Sequence, residues 1–163
     1  EQRKVVYRNL RNGGFEDVTE RLGPPVTIPR AGRGAAFGDV DNDGDVDVVV
    51  NNVHDTPDLF LTETTGRNHW LTVSLEGTRS NRSAIGARVR ARAGGAVQTQ
   101  EVRGGGSYAS QNDLRVHFGL AEAATVERLE VRWPSGLEEE WRDVGVDRII
   151  NLKEGTGKAW DRQ

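Results

Sequence analysis

Five aspartates alternate along Asp39-Val-Asp-Asn-Asp-Gly-Asp-Val-Asp47, at positions 39, 41, 43, 45 and 47, with Gly44 between the third and the fourth. Neighbouring carboxylates about 5 Å apart repel by about 1 to 3 kcal/mol per pair at effective dielectrics between water and a protein surface. A divalent cation turns that repulsion into attraction. Calcium takes about six to eight hard oxygens, and a loop wrapped around it offers residues at alternate positions with a glycine at the sharp turn. The spacing points to a calcium site, with Asp39, Asp41, Asp43 and Asp47 contributing side chains and Asp45 its main-chain carbonyl.

An EF-hand shares this pattern through its sixth position, but it needs a Glu at the twelfth and a helix on either side. Counted from Asp39, the twelfth residue is Val50. The flanks are Gly32-Arg-Gly-Ala-Ala-Phe-Gly38 and Val46-Asp-Val-Val-Val50, glycine-rich before and β-branched after. The loop therefore joins β-elements. With five carboxylates around it the ion has little vacancy for a substrate, so its expected role is structural.

The elements that must position this loop read as short strands. The apolar fraction is 35%, with 20 glycines among 163 residues, a balance that suits strands and turns better than long buried helices. Val5-Val-Tyr7, the turn Asn12-Gly-Gly14 and Phe15-Glu-Asp-Val18 form a hairpin signature. Pro24-Pro25 blocks a continuous helix there. From Asn68 onward, Leu71, Val73 and Leu75 share one face at period two, as do Ile85, Ala87, Val89 and Ala91, and again Leu129, Val131 and Trp133. Further strands are expected at 98–103, 114–118, 138–141 and 148–152. The one helical turn is expected at Leu120-Ala-Glu-Ala-Ala124. The fold class is all-β.

At these residues the chain resembles known families. Ala35-Ala-Phe-Gly-Asp-Val-Asp-Asn-Asp-Gly-Asp-Val-Asp-Val-Val-Val50 resembles the calcium-binding blade of FG-GAP/VCBS-type β-propeller repeats, and Tyr7 to Thr19 resembles the closing strands of such a repeat. From Asn68 the chain resembles the ASPIC/UnbV domain, through Asn68-His-Trp-Leu71, Ser80-Asn-Arg82, Ile85-Gly-Ala-Arg-Val89, Gly106-Ser-Tyr-Ala-Ser-Gln-Asn112, His117-Phe-Gly-Leu120 and Val131-Arg-Trp-Pro-Ser-Gly136. Ala121 stands where relatives often carry Gly. The resemblance implies a partial propeller blade over residues 1–66, a β-sandwich or barrel-like UnbV domain over 67–158 with the boundary near Arg67, and a tail at 159–163. It also implies upstream propeller blades as partners, because about four to eight blades are needed to close a propeller.

Other features divide between surface and function. Arg88, Arg90 and Arg92 form a stripe opposite the apolar face of their strand, which is what the solvent side of a half-buried strand presents. The same stripe matches an anionic partner such as a sulfated or uronic glycan, since Arg forks fit such oxyanions. Ser107, Gln111 and Asn112 lie in a polar loop that either meets a ligand or shapes a turn. His54, His69 and His117 are too scattered for a metal motif. Trp70, Trp133 and Trp141 lie on strand patterns, while Trp160 sits in a polar tail.

No nucleophile elbow is present, and no acid and base pair stands outside the calcium loop, so catalytic residues are none and the chain is read as no enzyme. The net charge of −3 and the lack of interleaved aromatics argue against nucleic acid. No segment has membrane-spanning length, the first residues lack a signal-peptide layout, and the absence of cysteine excludes a disulfide framework. The expectation is a soluble, calcium-binding interaction module of the cell exterior or envelope, for protein or glycan recognition. Two alternatives stay open, an ancillary domain of a secreted glycan-active enzyme and a structural C-terminal cap of a propeller.

Overall fold

In a computed structural model, the structure describes residues 2–10, 12–63, 66 and 68–160. The expected domain boundary at Arg67 and the last three residues of the tail lie outside them. The hairpin forms as its turn chemistry dictates. Strand β1 (Tyr7–Asn9) pairs antiparallel with β2 (Phe15–Asp17), Gly13 takes φ 86°, and Asn12 Oδ1 accepts the Gly14 amide at 2.9 Å.

The helical expectation needs correcting. A 3-10 turn spans Thr19–Leu22 and a four-residue helix α1 spans Pro24–Thr27, with the prolines at its first two positions. Those positions have no intrahelical amide bond to lose, so Pro24-Pro25 starts a turn of helix where it was expected only to block one. Leu120 and Ala121 instead end a strand, and Ala121 turns the chain at φ 51°, a conformation in which glycine is at ease.

Strands β3 (Gly32–Gly38), β4 (Asp47–Asn52) and β5 (Asp58–Phe60) form an antiparallel sheet in that order. The acidic loop is the β3–β4 connection, closed by the register Gly38 to Asp47. After it come β6 (His69–Glu76), β7 (Arg88–Ala93), β8 (Ala96–Glu101), β9 (Val116–Ala121), β10 (Thr125–Arg132), β11 (Glu138–Gly145), β12 (Arg148–Lys153) and β13 (Lys158–Ala159). They make two sheets, β13-β11-β10-β7-β8 and β12-β6-β9. Neither closes on itself. Among the described residues, all strand pairs are antiparallel except β12 with β6. Trp160 is no detached tail residue: its amide donates to the Glu138 carbonyl at 3.2 Å, extending the β13 edge.

One core lies between these two sheets. It holds Leu71, Val73 and Leu75 of β6, Val89 and Ala91 of β7, Phe118 and Leu120 of β9, Leu129 and Val131 of β10, and Trp133. The period-two faces read in the sequence are the faces that meet, except that Ile85 lies exposed in the turn before β7 and leaves the face to Ala87, Val89 and Ala91. The N-terminal unit is different. Among the described residues, Val26 alone of the buried apolar side chains precedes Leu71, whereas all but three of the exposed large ones lie at or before Leu61. That unit has almost no core of its own. Its exposed apolar side chains lie on both faces of the β3-β4-β5 sheet, Phe37 on one and Val49 and Leu59 on the other.

Glu154, which follows β12, is a polar counterpart to this core. Only 3% exposed, its carboxylate accepts the amides of Thr78, Arg79 and Ser80 at 2.7, 2.7 and 2.8 Å and the Ser80 hydroxyl at 2.9 Å. The Ser135 hydroxyl donates to it as well. Burial pushes this carboxyl up, but the hydroxyl of Ser135 and the amides of Ser80, Thr78 and Arg79 outweigh it and bring the pKa down to about 2. Among the described residues, no helix is long and apolar enough to cross a membrane.

Candidate metal centre

The β3–β4 connection folds back on itself because its own amides seek its carboxylates. Asp39 Oδ1 accepts the Asp43 amide at 3.1 Å and Oδ2 accepts the Gly44 amide at 3.1 Å. Asp43 Oδ1 accepts the Asp45 amide at 2.8 Å. Gly44 sits at φ 97°, where only glycine is unstrained. The result gathers three of the five aspartates: oxygens of Asp39, Asp41 and Asp43 all lie within 4.8 Å of one another. Two oxygens on opposite sides of one calcium ion are separated by about twice the 2.3 to 2.6 Å bond length, so this spacing fits a shared ion. Three hard carboxylates with no nitrogen or sulfur are donors of the kind calcium takes. Asp41, exposed at the rim, is held above the usual carboxylate range by lost hydration first, and then by the charges of Asp43, Asp47 and Asp39.

Asp47 and Asp45 are placed differently. Asp47 is 1% exposed; its Oδ2 accepts the Val40 amide and its Oδ1 the Thr62 amide, each at 2.8 Å. It ties the two ends of the loop to the segment after β5. Asp45 is half-buried and outside the trio.

The loop rests on the second unit. Arg115 donates through a terminal nitrogen to the Asp39 carbonyl at 2.7 Å and through the other to Asn42 Oδ1 at 2.7 Å, while its Nε meets Asp113 Oδ2 at 2.6 Å. Beneath Gly44 lies the indole of Trp70, so close that a Cβ there would stand 2.1 Å from the ring. Trp70 in turn stacks on His117, centroids 6.2 Å apart and planes 20° apart. Burial lowers the His117 pKa against the pull of Asp39 and Asp45, and Thr72 Oγ1 meets its Nδ1 at 3.0 Å. His117 is thus a packing residue with a hydroxyl partner.

Residues 77–159, half of the chain, match the family model for ASPIC and UnbV. The chain belongs to the ASPIC and UnbV family. Residues 1–50 match the FG-GAP-like repeat, in the order the sequence motifs suggest. No curated protein matches the chain.

The UnbV motif Gly106 to Asn112 is the second half of the joint. The Phe37 amide donates to Asn112 Oδ1 at 3.1 Å, the Asp113 amide to the Phe37 carbonyl at 2.9 Å, and the Ser110 hydroxyl to the Ala35 carbonyl at 2.8 Å. These bonds occupy the edge of β3 that β4 does not. Gln111 faces inward on its own loop, accepting the Gly105 amide at 2.6 Å and donating to the Arg103 and Asn112 carbonyls. Ser107 bridges to Ser110. Asn112 and Ser110 therefore clasp the UnbV unit to the FG-GAP-like unit, and Gln111 braces the loop that carries them.

The arginine stripe keeps its predicted face but is not simply solvated. Arg90, Arg92 and Arg128 converge on Glu130, whose side chain is 1% exposed, at 3.6, 3.5 and 3.1 Å. Arg88 pairs with Glu101 at 3.5 Å. Sequence reading passed over Arg115, Glu130 and Glu154. Glu130 alternates with Leu129 and Val131 as an outward residue would, so only its arginine neighbours across the sheet reveal that it is covered.

Proposed function

We propose that this chain is a calcium-stabilised, non-enzymatic interaction module of extracellular type, acting outside the cell or in its envelope. Asp39, Asp41 and Asp43 hold the ion, and the ion stiffens the loop on which the two units meet. The observation that carries this reading is the convergence of the three carboxylates within 4.8 Å of one another. Its support includes the grip of Arg115 and Trp70 on the same loop. Recognition of a protein or glycan partner falls to the UnbV unit, while the exposed apolar side chains of the FG-GAP-like unit meet neighbouring propeller blades. The same side chains equally favour a second reading, in which the chain is a structural cap on a propeller end.

Thermal melts with calcium and with chelator test the metal. A ligand that binds only the folded state adds about 2.7 kcal/mol at a hundredfold excess over its dissociation constant. Wild type is expected to melt several degrees higher with calcium, and Asp43→Ala to melt at one temperature under both conditions. Identical wild-type melts would remove calcium from the account.

A further inference from the structure

We propose that the cleft between the two units is a binding site for a neutral saccharide, with Gln98 and Gln100 of β8 as its hydrogen-bonding wall. The cleft measures about 810 Å³ and lies where the FG-GAP-like unit meets the UnbV unit. That is the size of a small-ligand site, and such sites favour the junctions between units. Its floor is the outward face of β9: Val116, Phe118 and Leu120 point into the core, so His117 and Gly119 point away from it. At Gly119 the floor is bare, because a Cβ there would meet nothing within 4 Å.

The wall exists because the core stops short of β8, the end strand of its sheet. Val89 and Ala91 of β7 are 0% and 2% exposed, and the residues directly opposite them on the same face are Gln100 and Gln98. Two amides thus stand where a continued core would need apolar side chains. Gln98 closes the gap between the sheets, its Nε2 donating to the Gly119 carbonyl at 2.7 Å. Gln100 is exposed, and its side-chain amide has no partner among the described residues. Across the cleft stand Phe37 and Val46, 45% and 39% exposed.

Charge and chemistry select the ligand. The charged residues lining the cleft are Asp39, Glu101 and Asp113 against Arg88, Arg103 and Arg115, three of each sign. Arg115 meets Asp113 at 2.6 Å, Arg88 meets Glu101 at 3.5 Å, and both Asp39 carboxylate oxygens accept amides of their own loop. Balanced charge, most of it already paired, gives an ionic ligand no advantage here. The amides of Gln98 and Gln100 both give and take hydrogen bonds, as the hydroxyls of a sugar do. The Phe37 ring offers a flat apolar face to the C–H side of a sugar ring. This inference rests on the reading of the UnbV unit as the recognition unit, and not on the metal.

The test is an array of neutral oligosaccharides and their sulfated counterparts, followed by calorimetric titration with the strongest neutral binder. At least one neutral oligosaccharide is expected to bind, with little dependence on salt because no charge pair is screened. Gly119→Leu puts a side chain into the cleft from a strand position with room for it, and is expected to weaken binding roughly tenfold or more. Gln100→Ala is expected to weaken it about fivefold, and Val97→Ala, on the opposite face of β8, to leave it unchanged. Should Gly119→Leu fail to fold by circular dichroism, Gln100→Ala keeps the test decisive, because an unchanged affinity would overturn the proposal. Binding that survives Gly119→Leu would overturn the cleft and leave the UnbV unit free to recognise glycans elsewhere. No binding of any neutral oligosaccharide, or tighter binding of the sulfated forms, would overturn the proposal, and an array bare of both would remove glycan recognition from the UnbV unit as well.

Discussion

Glu154→Ala is expected to destabilise the protein by about 4 kcal/mol and lower its melting temperature by roughly 10 °C. The carboxylate satisfies three consecutive backbone amides and two hydroxyls in a site that is 3% exposed. Removing it takes the acceptor from three amides and two hydroxyls at once, and each buried donor left unpaired costs about 1 to 3 kcal/mol. Three amides in a row form a concavity for an anion, so the interaction depends on charge as well as on hydrogen bonding.

The same site sets a pH dependence with a definite sign. The folded pKa is lowered from 4.5 to about 2, so the ionised form is the one that folding favours. Its contribution is complete above about 4.5 and is lost as the pH falls through about 2. Urea melts of wild type and Glu154→Gln across that window isolate it, because every other carboxylate titrates in both proteins. The stability gap between them is expected to narrow steadily as pH falls. A gap that stays constant would show that Glu154 contributes packing and not charge.

Gly44→Ala is the second large effect, expected to cost about 2 to 4 kcal/mol from two separable sources. A residue with a Cβ is strained at φ 97°, and that Cβ would meet the Trp70 ring at 2.1 Å. Gly13 provides the control, since it sits at φ 86° with nothing within 4 Å of its Cβ position. Gly13→Ala carries strain alone and is expected to cost about 1 kcal/mol. In a Trp70→Ala background the clash disappears, so the Gly44→Ala penalty is expected to fall to that of Gly13→Ala. A penalty unchanged by Trp70→Ala would mean that the loop does not rest on the indole, and the joint described here would lose its main contact.

Local chemistry was the legible part of this molecule. The alternation of Leu71, Val73 and Leu75, of Val89 and Ala91, and of Leu129 and Val131 states which faces meet, because a half-buried strand writes its geometry at period two. The acidic loop and the Asn12-Gly-Gly14 turn are equally local. What could not be read is what depends on distant partners. The parallel pairing of β12 with β6 has no pattern in either strand. Arg115 reaches Asp39 and Asn42 across more than seventy residues, and nothing beside it in the sequence announces that reach.

The motifs that carried the family resemblance were legible as motifs and opaque as physics. Ser80 and Ser135 lie in two of them, and both give hydroxyls to Glu154. Ser110 and Asn112 lie in a third and fasten β3. These short polar segments close the fold and join its units, a role that a list of polar loop residues leaves indistinguishable from ligand binding. The helical turn was misplaced for a simpler reason. Leu120 to Ala124 has helical composition, but Leu120 is buried in the core from β9 and Ala121 pairs with His69, and such tertiary contacts override a propensity of a few tenths of a kcal/mol per residue.

The proposed calcium loop joins the two units through Arg115 and Trp70, and hydrogen exchange measured with calcium and with chelator tests that proposal most directly. Calcium is expected to slow exchange of the Asp43, Gly44 and Asp45 amides and, through Arg115 and the β3 seam, of the Phe37 and Asp113 amides as well. Equal exchange at both places with and without calcium would contradict it.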